Sequence, residues 1–144
     1  MRAAVIKRMV LDASVAVAWC FEDKSTDFTE GVLDLLSAGT EVLTPAIWPL
    51  EVANALLIAE RRKRITVAQV TALLRGIAGL PISVEPIQAG RAFEQILSVA
   101  RQRNLTEYDA AYIELALRGA LPLATLDGRL RRVAELVGIT LVTI

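Results

Sequence analysis

The sequence predicts an α/β domain of three layers, in which helices cover both faces of a central parallel sheet. The chain has 144 residues, of which 54% are hydrophobic, and a chain of that length can form one complete core. Short apolar runs alternate with helix-length amphipathic segments along the whole sequence. These runs are apolar almost without interruption, as strands buried on both faces require. We therefore assign residues 1–144 to a single α/β/α domain.

Five short apolar runs are the predicted strands of this sheet. Each is separated from the next by a segment long enough to hold a helix, which is the spacing of parallel strands joined by helical crossovers. In chain order the predicted strands are Met9–Leu11, Glu41–Thr44, Ile82–Glu85, Leu123–Thr125 and Thr140–Thr143.

The segments between the strands carry helix start and stop signals. The pair Thr44-Pro45 predicts a helix entry, followed by an almost entirely apolar helix over Ala46–Ala59. Thr66 predicts the N-cap of a helix that reaches Leu80. Gly39 and Gly138 lie where helices are expected to end.

The charge balance argues against bulk attraction to nucleic acid or to an anionic membrane. Sixteen basic and 16 acidic residues give a formal net charge of zero, and the isoelectric point is near 6.3. A polyanionic substrate would therefore have to be bound by local groups rather than by the overall field of the protein.

The beginning of the chain imitates a secretory signal without completing one. The basic segment Met1–Arg8 precedes the apolar stretch Met9–Phe21, but Asp12 interrupts that stretch. Glu22–Lys24 then follows where a small-residue cleavage site belongs. No uncharged run approaches the roughly 18 residues of a membrane span. Together with a single cysteine, Cys20, this predicts a cytoplasmic protein with no membrane partner.

Four carboxylates are placed where a parallel sheet would bring them together. Asp12 and Asp127 follow the first and fourth predicted strands, Glu51 lies shortly after the second, and Asp109 opens a late helix. Because ligands bind beyond the carboxyl ends of parallel strands, we expect these acids to share one crevice. Like charges held that close need a cation. With no histidine and one cysteine in the chain, the site favours Mg²⁺ or Mn²⁺ over zinc.

Three of these acids also have a purely structural interpretation. Asp12 and Asp127 each precede a helix start and suit an N-cap. Asp109 lies at the third helical position after a capping Thr106, where an acid answers the helix dipole. The sequence leaves both interpretations open for each of the three.

Glu51 favours a functional site. We place it in the second turn of the helix over Ala46–Ala59, among apolar neighbours that draw its carboxylate inward. Buried glutamate is rare without a partner, and Asn54, one turn later, is the expected hydrogen-bond donor. By contrast, Glu107 and Glu114 are interpreted as surface charge, with a role in supporting the neighbouring Asp109 as the alternative for Glu107.

Four segments of the chain resemble the four signature blocks of PIN-domain ribonucleases. Their order and spacing and the total length are similar to those of VapC-type toxins from bacterial and archaeal toxin–antitoxin pairs, and the likeness spans nearly the whole chain. The segments are Asp12-Ala13-Ser14, Glu51-Val52-Ala53-Asn54-Ala55-Leu56, Leu105-Thr106-Glu107-Tyr108-Asp109-Ala110-Ala111-Tyr112 and Leu123-Ala124-Thr125-Leu126-Asp127.

This resemblance implies a PIN-like fold and a metal-dependent endoribonuclease that hydrolyses RNA phosphodiester bonds. The catalytic and metal-binding residues would then hold one or two Mg²⁺ or Mn²⁺ ions, directly or through water; they are Asp12, Glu51, Asp109 and Asp127. Three more residues fall where the family supports its acids or contacts phosphate, namely Ser14, Asn54 and Thr125. No histidine base is needed, because a bound metal activates the attacking water.

RNA, a second copy of the chain and a cognate antitoxin are the expected partners. Arg129 and Arg132 lie just past Asp127 and are candidate RNA contacts. The apolar helix over Ala46–Ala59, with a following stripe of apolar residues, exceeds what a small domain easily covers and predicts a homodimer. The stripe consists of Val67, Val70, Leu73, Leu74 and Ile77. The resemblance also implies a homodimer, masked by an antitoxin segment over the active-site groove.

Three other functions compete with this one. A phosphatase of the haloacid-dehalogenase type needs a second aspartate two residues after the first, where this chain has Ser14. A receiver domain needs a lysine after a late strand, and the three lysines, Lys7, Lys24 and Lys63, lie elsewhere. A catalytically degenerate PIN-like scaffold that serves only as an interaction module would retain four mutually repelling acids without using them.

Overall fold

The computed structural model describes residues 6–144 and builds them around a four-stranded parallel sheet. The strand order is β3-β2-β1-β4, so the first strand lies inside the sheet. Val10 on β1 pairs with Leu43 on one side and Leu123 on the other. The strands are β1 (Arg8–Leu11), β2 (Glu41–Pro45), β3 (Ile82–Glu85) and β4 (Leu123–Ala124).

Eight α-helical segments surround the sheet in the described part of the chain, which confirms the predicted three-layer α/β/α class. A short 3₁₀ turn, Glu22–Lys24, follows the first helix, and a π-helical turn, Ala92–Ile96, joins the fifth to the sixth. The helices are α1 (Ala13–Trp19), α2 (Asp27–Ser37), α3 (Trp48–Arg61), α4 (Val67–Ala78), α5 (Ala89–Arg91), α6 (Leu97–Arg103), α7 (Glu107–Gly119) and α8 (Gly128–Val137).

Four of the five predicted strands are confirmed, and the fifth is wrong. In the segment Thr140–Thr143 only Leu141 pairs, through an isolated parallel bridge to Leu123. β4 has only two residues, so the edge it offers is too short for a longer ladder. The apolar character of the last segment is used in the core instead, where Val142 is buried.

The predicted helix entry at Thr44-Pro45 is also wrong. Pro45 is the last residue of β2, and α3 begins three residues later at Trp48 with Pro49 in its first turn, where a missing N–H breaks no helical hydrogen bond. Glu51 is therefore in the first turn of α3 rather than the second.

The other helix signals agree with the structure. Thr66 caps α4 through a reciprocal pair: its hydroxyl accepts from the Gln69 N–H at 3.1 Å, and the Gln69 side chain accepts from the Thr66 N–H at 2.8 Å. Gly138 ends α8 with a φ of +83°, a left-handed conformation that glycine adopts without strain. Gly39 has a φ of +103° and follows α2 after one intervening residue.

The core is built on β1 and α7. Met9, Val10 and Leu11 are fully buried, and α7, which packs against β1 and β2, is buried without a break over residues 110–116. A helix enclosed on several sides is held firmly, so the residues at its first turn have a stable base.

The apolar stripe of α4 packs partly on its own chain. Val70, Leu73 and Leu74 contact a small core of Phe21, Leu56 and Ala59 between α1 and α3. No residue of α4 is fully buried, and Val67 is 66% exposed.

The described residues contain no helix that is both long and apolar enough to cross a membrane. Most of the basic segment Met1–Arg8, considered above as the start of a signal sequence, lies outside these residues.

Candidate active site

Asp12 lies at the carboxyl end of β1 and is only 6% exposed. It holds the N-cap position of α1, but its side chain makes no capping hydrogen bond. Its Oδ2 instead accepts hydrogen bonds from the hydroxyls of Ser14 at 2.6 Å and Thr125 at 2.8 Å. The capping interpretation is therefore wrong for this side chain.

The two hydroxyls are oriented toward Asp12 by backbone amides of the loop after β4. The Leu126 N–H donates to Ser14 Oγ, and the Asp127 N–H donates to Thr125 Oγ1, both at 3.0 Å. Each hydroxyl has a single proton, and both hydroxyls use it in the hydrogen bond to the Asp12 carboxylate. Asp12 Oδ1 receives no side-chain hydrogen bond within residues 6–144 and is available to a ligand.

Glu51 is held by a residue that we did not select from the sequence. Its Oε1 accepts a 2.6 Å hydrogen bond from the hydroxyl of Tyr112, a fully buried residue of α7. The predicted hydrogen bond from Asn54 is wrong, since that side chain is exposed and makes no hydrogen bond to Glu51 in the described chain. A local signal for Tyr112 existed: it follows Asp109 by three residues and so lies on the same face of α7.

Asp109 and Asp127 begin the two late helices. Asp109 is half-buried in the first turn of α7, where its backbone N–H donates to the capping hydroxyl of Thr106 at 3.1 Å. Asp127 is exposed, and its Oδ1 accepts from the N–H groups of Arg129 at 2.8 Å and Leu130 at 3.0 Å. Asp127 is thus the N-cap of α8, as its structural interpretation proposed.

The four acids act on one another electrostatically. Burial raises the pKa of Asp12, and the charge of Asp127 adds to that rise. Burial likewise raises the pKa of Glu51, with further contributions from Asp12 and Asp109. The pKa of Asp109 is raised first by burial and then by Asp127 and Asp12, against a smaller lowering by Arg129. These interactions couple each of the four acids electrostatically to at least one of the others, and we refer to the four together as the acid cluster.

The donor set fits a magnesium or manganese ion that keeps much of its water. None of the four acids takes part in a salt bridge among the described residues. No three acidic, histidine or cysteine side chains of the described chain are placed so that together they could hold a metal ion. Mg²⁺ does not require three protein ligands, because it is usually bound by one or two carboxylates together with waters and substrate phosphates. Asp12 and Glu51 each have one anchored and one available oxygen, which suits that kind of site.

The arginines after Asp127 differ in their roles. Arg131 is half-buried and donates from Nη1 to the Thr125 carbonyl oxygen at 3.1 Å, so it holds the loop beside Asp12. Arg129 and Arg132 are exposed in the first turns of α8. The positive charge of Arg129 lowers the pKa of Asp109, against the larger effect of burial.

A groove of about 390 Å³ is lined in part by residues from the starts of α3 and α7, the helices that carry Glu51 and Asp109. We call it the apolar groove; Ile47, Leu50, Ile87 and Ile96 line it, and Leu50 precedes Glu51 in the chain. Glu107 also reaches it, and its Oε1 is buried with no hydrogen-bond partner in the described residues. Its assignment as surface charge is therefore wrong.

Glu114 was also assigned to the surface, and it too is buried. It is 7% exposed and pairs with Arg91 at 2.6 Å and with Arg118 at 3.0 Å. Arg118 continues to Glu85 at 2.7 Å. This ion-pair network joins α7 to α5 and β3.

The comparisons with known proteins agree with the observed fold. A family model of the PIN domain matches residues 9–136. A comparison with curated protein sequences gives no match.

Solved structures share the fold at low identity. PAE2754 from Pyrobaculum aerophilum superposes with a TM-score of 0.67 and 23% identity, over 89% of this chain and 79% of its own. VapBC2 from Rickettsia felis, solved with a DNA fragment from its promoter, superposes with a TM-score of 0.65 and 14% identity, over 94% of this chain and 97% of its own. VapC20 from Mycobacterium tuberculosis, described as a sarcin–ricin loop cleaving toxin, superposes with a TM-score of 0.62 and 18% identity, over 94% of this chain and 99% of its own.

Proposed function

This chain belongs to the PIN domain family, and on that premise we propose that it is a Mg²⁺- or Mn²⁺-dependent endoribonuclease. In this proposal it hydrolyses RNA phosphodiester bonds in the cytoplasm as the toxin of a toxin–antitoxin pair. One observation supports it most: Asp12 is 6% exposed, carries a carboxylate and has no cationic partner in the described chain. A buried charge is costly without compensation, and a bound metal would provide it.

The residues of the chain would hold and orient this site. Asp12 and Glu51 offer the oxygens that their hydroxyl partners leave available, and Asp109 and Asp127 complete the negative field. When bound, the metal supplies an activated water and offsets charge on the phosphoryl group. Because Ser14, Thr125 and Tyr112 already donate to the carboxylates, little rearrangement is needed before the metal and substrate bind.

Arg129 and Arg132 would guide the RNA. Both are exposed on α8, directly after the acid that caps this helix. Arginine makes two parallel hydrogen bonds to phosphate, and a neutral protein needs such local contacts to bind a polyanion. Replacing both with glutamine should weaken RNA binding in a filter-binding assay; unchanged affinity would remove them from the interface.

An antitoxin segment is the proposed occupant of the apolar groove. Leu50 is 67% exposed there, and the buried Glu107 Oε1 lacks a donor that a partner could supply. A segment bound in the groove would lie beside Glu51 and could block the acids. Expression of the chain alone should slow growth; harmless expression together with full nuclease activity in vitro would contradict this role.

We also propose that two copies associate through α3 and α4. Val67 is 66% exposed, and a second apolar groove of about 280 Å³ between these helices contains Trp48, whose Nε1 has no hydrogen-bond partner in the described residues. Leu73→Glu should weaken a dimer at micromolar concentration if the stripe is interfacial. Because Leu73 also contacts the core of Phe21, Leu56 and Ala59, the same change should unfold the chain if the stripe is core, and light scattering separates the two outcomes. Light scattering that finds a stable monomer in the unchanged protein would overturn this association.

Metal dependence of RNA cleavage is the test of the proposal as a whole. Purified protein incubated with total bacterial RNA should cleave it in Mg²⁺ or Mn²⁺, stop in EDTA and recover when metal is restored. Asp12→Asn, prepared in the same way, controls for contaminating nucleases. Cleavage that persists in EDTA, or that Asp12→Asn retains, would contradict the proposal, and inactivity under all conditions would favour the degenerate scaffold.

A further inference from the structure

Tyr112 is a polar residue at the centre of the molecule that joins two helices at the acid cluster. It is completely buried in α7, and its hydroxyl donates a 2.6 Å hydrogen bond to Glu51 on α3, 61 positions away in the chain. A hydrogen bond of that length to a carboxylate is among the stronger ones in proteins. Tyr112 therefore fixes one oxygen of Glu51 relative to the buried helix α7.

The hydroxyl of Tyr112 acts as a donor and as nothing else toward Glu51. Burial, and then the hydrogen bond and charge of Glu51, raise the pKa of Tyr112 far above its usual range, so the proton is retained. The proton of this hydroxyl therefore lies in the hydrogen bond to the Glu51 carboxylate.

A similar arrangement is found at Asp12. There the hydroxyls of Ser14 and Thr125 donate to one oxygen of the carboxylate, and each of these hydroxyls accepts from a backbone N–H. In both places the second carboxylate oxygen has no side-chain hydrogen bond within the described residues. A pattern that leaves one oxygen of each acid available does not serve burial alone, because a purely structural carboxylate gains from having both oxygens paired.

We propose that Tyr112 is a positioning residue of the metal site, which anchors Oε1 of Glu51 and thereby presents Oε2 to the metal ion. The inference rests on the proposed metal dependence. Residues that orient metal ligands through hydrogen bonds typically change metal affinity by 10–100-fold when they are removed. The loss of the Tyr112 hydroxyl should therefore be felt at the metal and not only in the stability of the fold.

Manganese binding measured by calorimetry and by the EPR signal of free Mn²⁺ tests the proposal. Tyr112→Phe retains the buried ring and removes the hydroxyl, and it should bind Mn²⁺ about tenfold more weakly. Tyr108→Phe is the matched control: Tyr108 is 62% exposed on the same helix and makes no side-chain hydrogen bond to an acid in the described residues. It should bind Mn²⁺ like the unchanged protein. Thermal unfolding of both variants verifies that they are folded.

A second background separates positioning from structural damage. If Tyr112 acts through Glu51, adding Tyr112→Phe to Glu51→Gln should change Mn²⁺ affinity by less than about twofold, because coupled residues are not additive. Equal affinity in Tyr112→Phe and the unchanged protein would overturn the proposal, as would an equal loss in both backgrounds. If the unchanged protein does not bind Mn²⁺, the proposed metal dependence is wrong, and this inference is wrong with it. The unchanged protein alone reveals that outcome, so no variant is needed to distinguish it.

Discussion

Two carboxylates of this protein are buried to nearly the same degree, but only one of them is paired with cations of the chain. Glu114 is 7% exposed and lies between Arg91 and Arg118. Asp12 is 6% exposed, and the side chains that donate to it are hydroxyls, with no cation among them in the described residues. At Glu114 the chain provides its own cations, so the network is complete as it stands. At Asp12 the charge is oriented and left uncompensated, which is expected of a site that takes a cation from solution.

The largest expected effect of this difference is on catalysis. Asp12→Asn should lower the rate of RNA cleavage by at least about 100-fold, since it removes a charged ligand oxygen from the metal site. The matched variant Glu114→Gln should cleave RNA at nearly the parent rate when compared per folded molecule. Single-turnover cleavage with a labelled RNA measures both rates. A larger loss of rate in Glu114→Gln than in Asp12→Asn would show that the acid cluster is not the catalytic site.

The order reverses for stability. Glu114→Gln removes the shared partner of two arginines and should lower the free energy of unfolding by about 2 kcal/mol. Both arginines are about one third exposed at 35%, so water compensates part of their loss and the effect stays moderate. Urea unfolding of the metal-free protein measures it. A neutral result would show that this network is not structural.

The acid cluster should also give the metal-free protein a characteristic pH dependence. Burial raises the pKa of Asp12, Glu51 and Asp109 above their unfolded values, so the folded state holds protons more tightly than the unfolded state. Stability from these groups is then fully present below the unfolded values near pH 4 and is lost as pH rises through the folded values. The stability of Asp12→Asn relative to the parent should therefore increase over that range. Chemical denaturation at several pH values in EDTA measures this difference, and a constant difference would contradict the raised pKa of Asp12.

The smallest effect is expected at Asp127. Its exposed carboxylate caps α8 through two backbone N–H groups, and asparagine caps a helix about as well as aspartate. Asp127→Asn should reduce cleavage less than tenfold, with little change in melting temperature. A loss as large as that of Asp12→Asn would make Asp127 a principal ligand rather than a cap that contributes charge.

The parts of this site that depend on local sequence could be predicted, and those that depend on distant contacts could not. Asp12 and Asp127 were placed at one edge of the sheet because each follows a predicted strand, and strands are recognised from the hydrophobic pattern of a short segment. The spacing of Tyr112 from Asp109 places both on one face of α7, but no local pattern indicates its hydrogen bond to Glu51, because the two residues are 61 positions apart. Asn54 was chosen instead as the nearest polar residue on the same helix, yet its side chain is exposed.

Two further errors have physical causes of the same kind. Glu114 has an arginine four positions later and apolar residues immediately before and after it in the chain, and that combination was the available signal for a buried ion pair. Thr140–Thr143 has the composition of a strand, but a strand also needs an edge to pair with, and β4 offers a single position. Composition alone does not contain that information.

Thermal unfolding with and without divalent metal tests most directly whether the uncompensated carboxylate of Asp12 binds a metal ion. Mg²⁺ or Mn²⁺ should raise the melting temperature of the unchanged protein, by mass action equivalent to about 2.7 kcal/mol at a metal concentration 100 times the dissociation constant. Glu114→Gln should show the same metal-dependent rise from a lower starting temperature, and Asp12→Asn should show little or none. Equal melting temperatures with and without metal in the unchanged protein, or an undiminished rise in Asp12→Asn, would contradict the account.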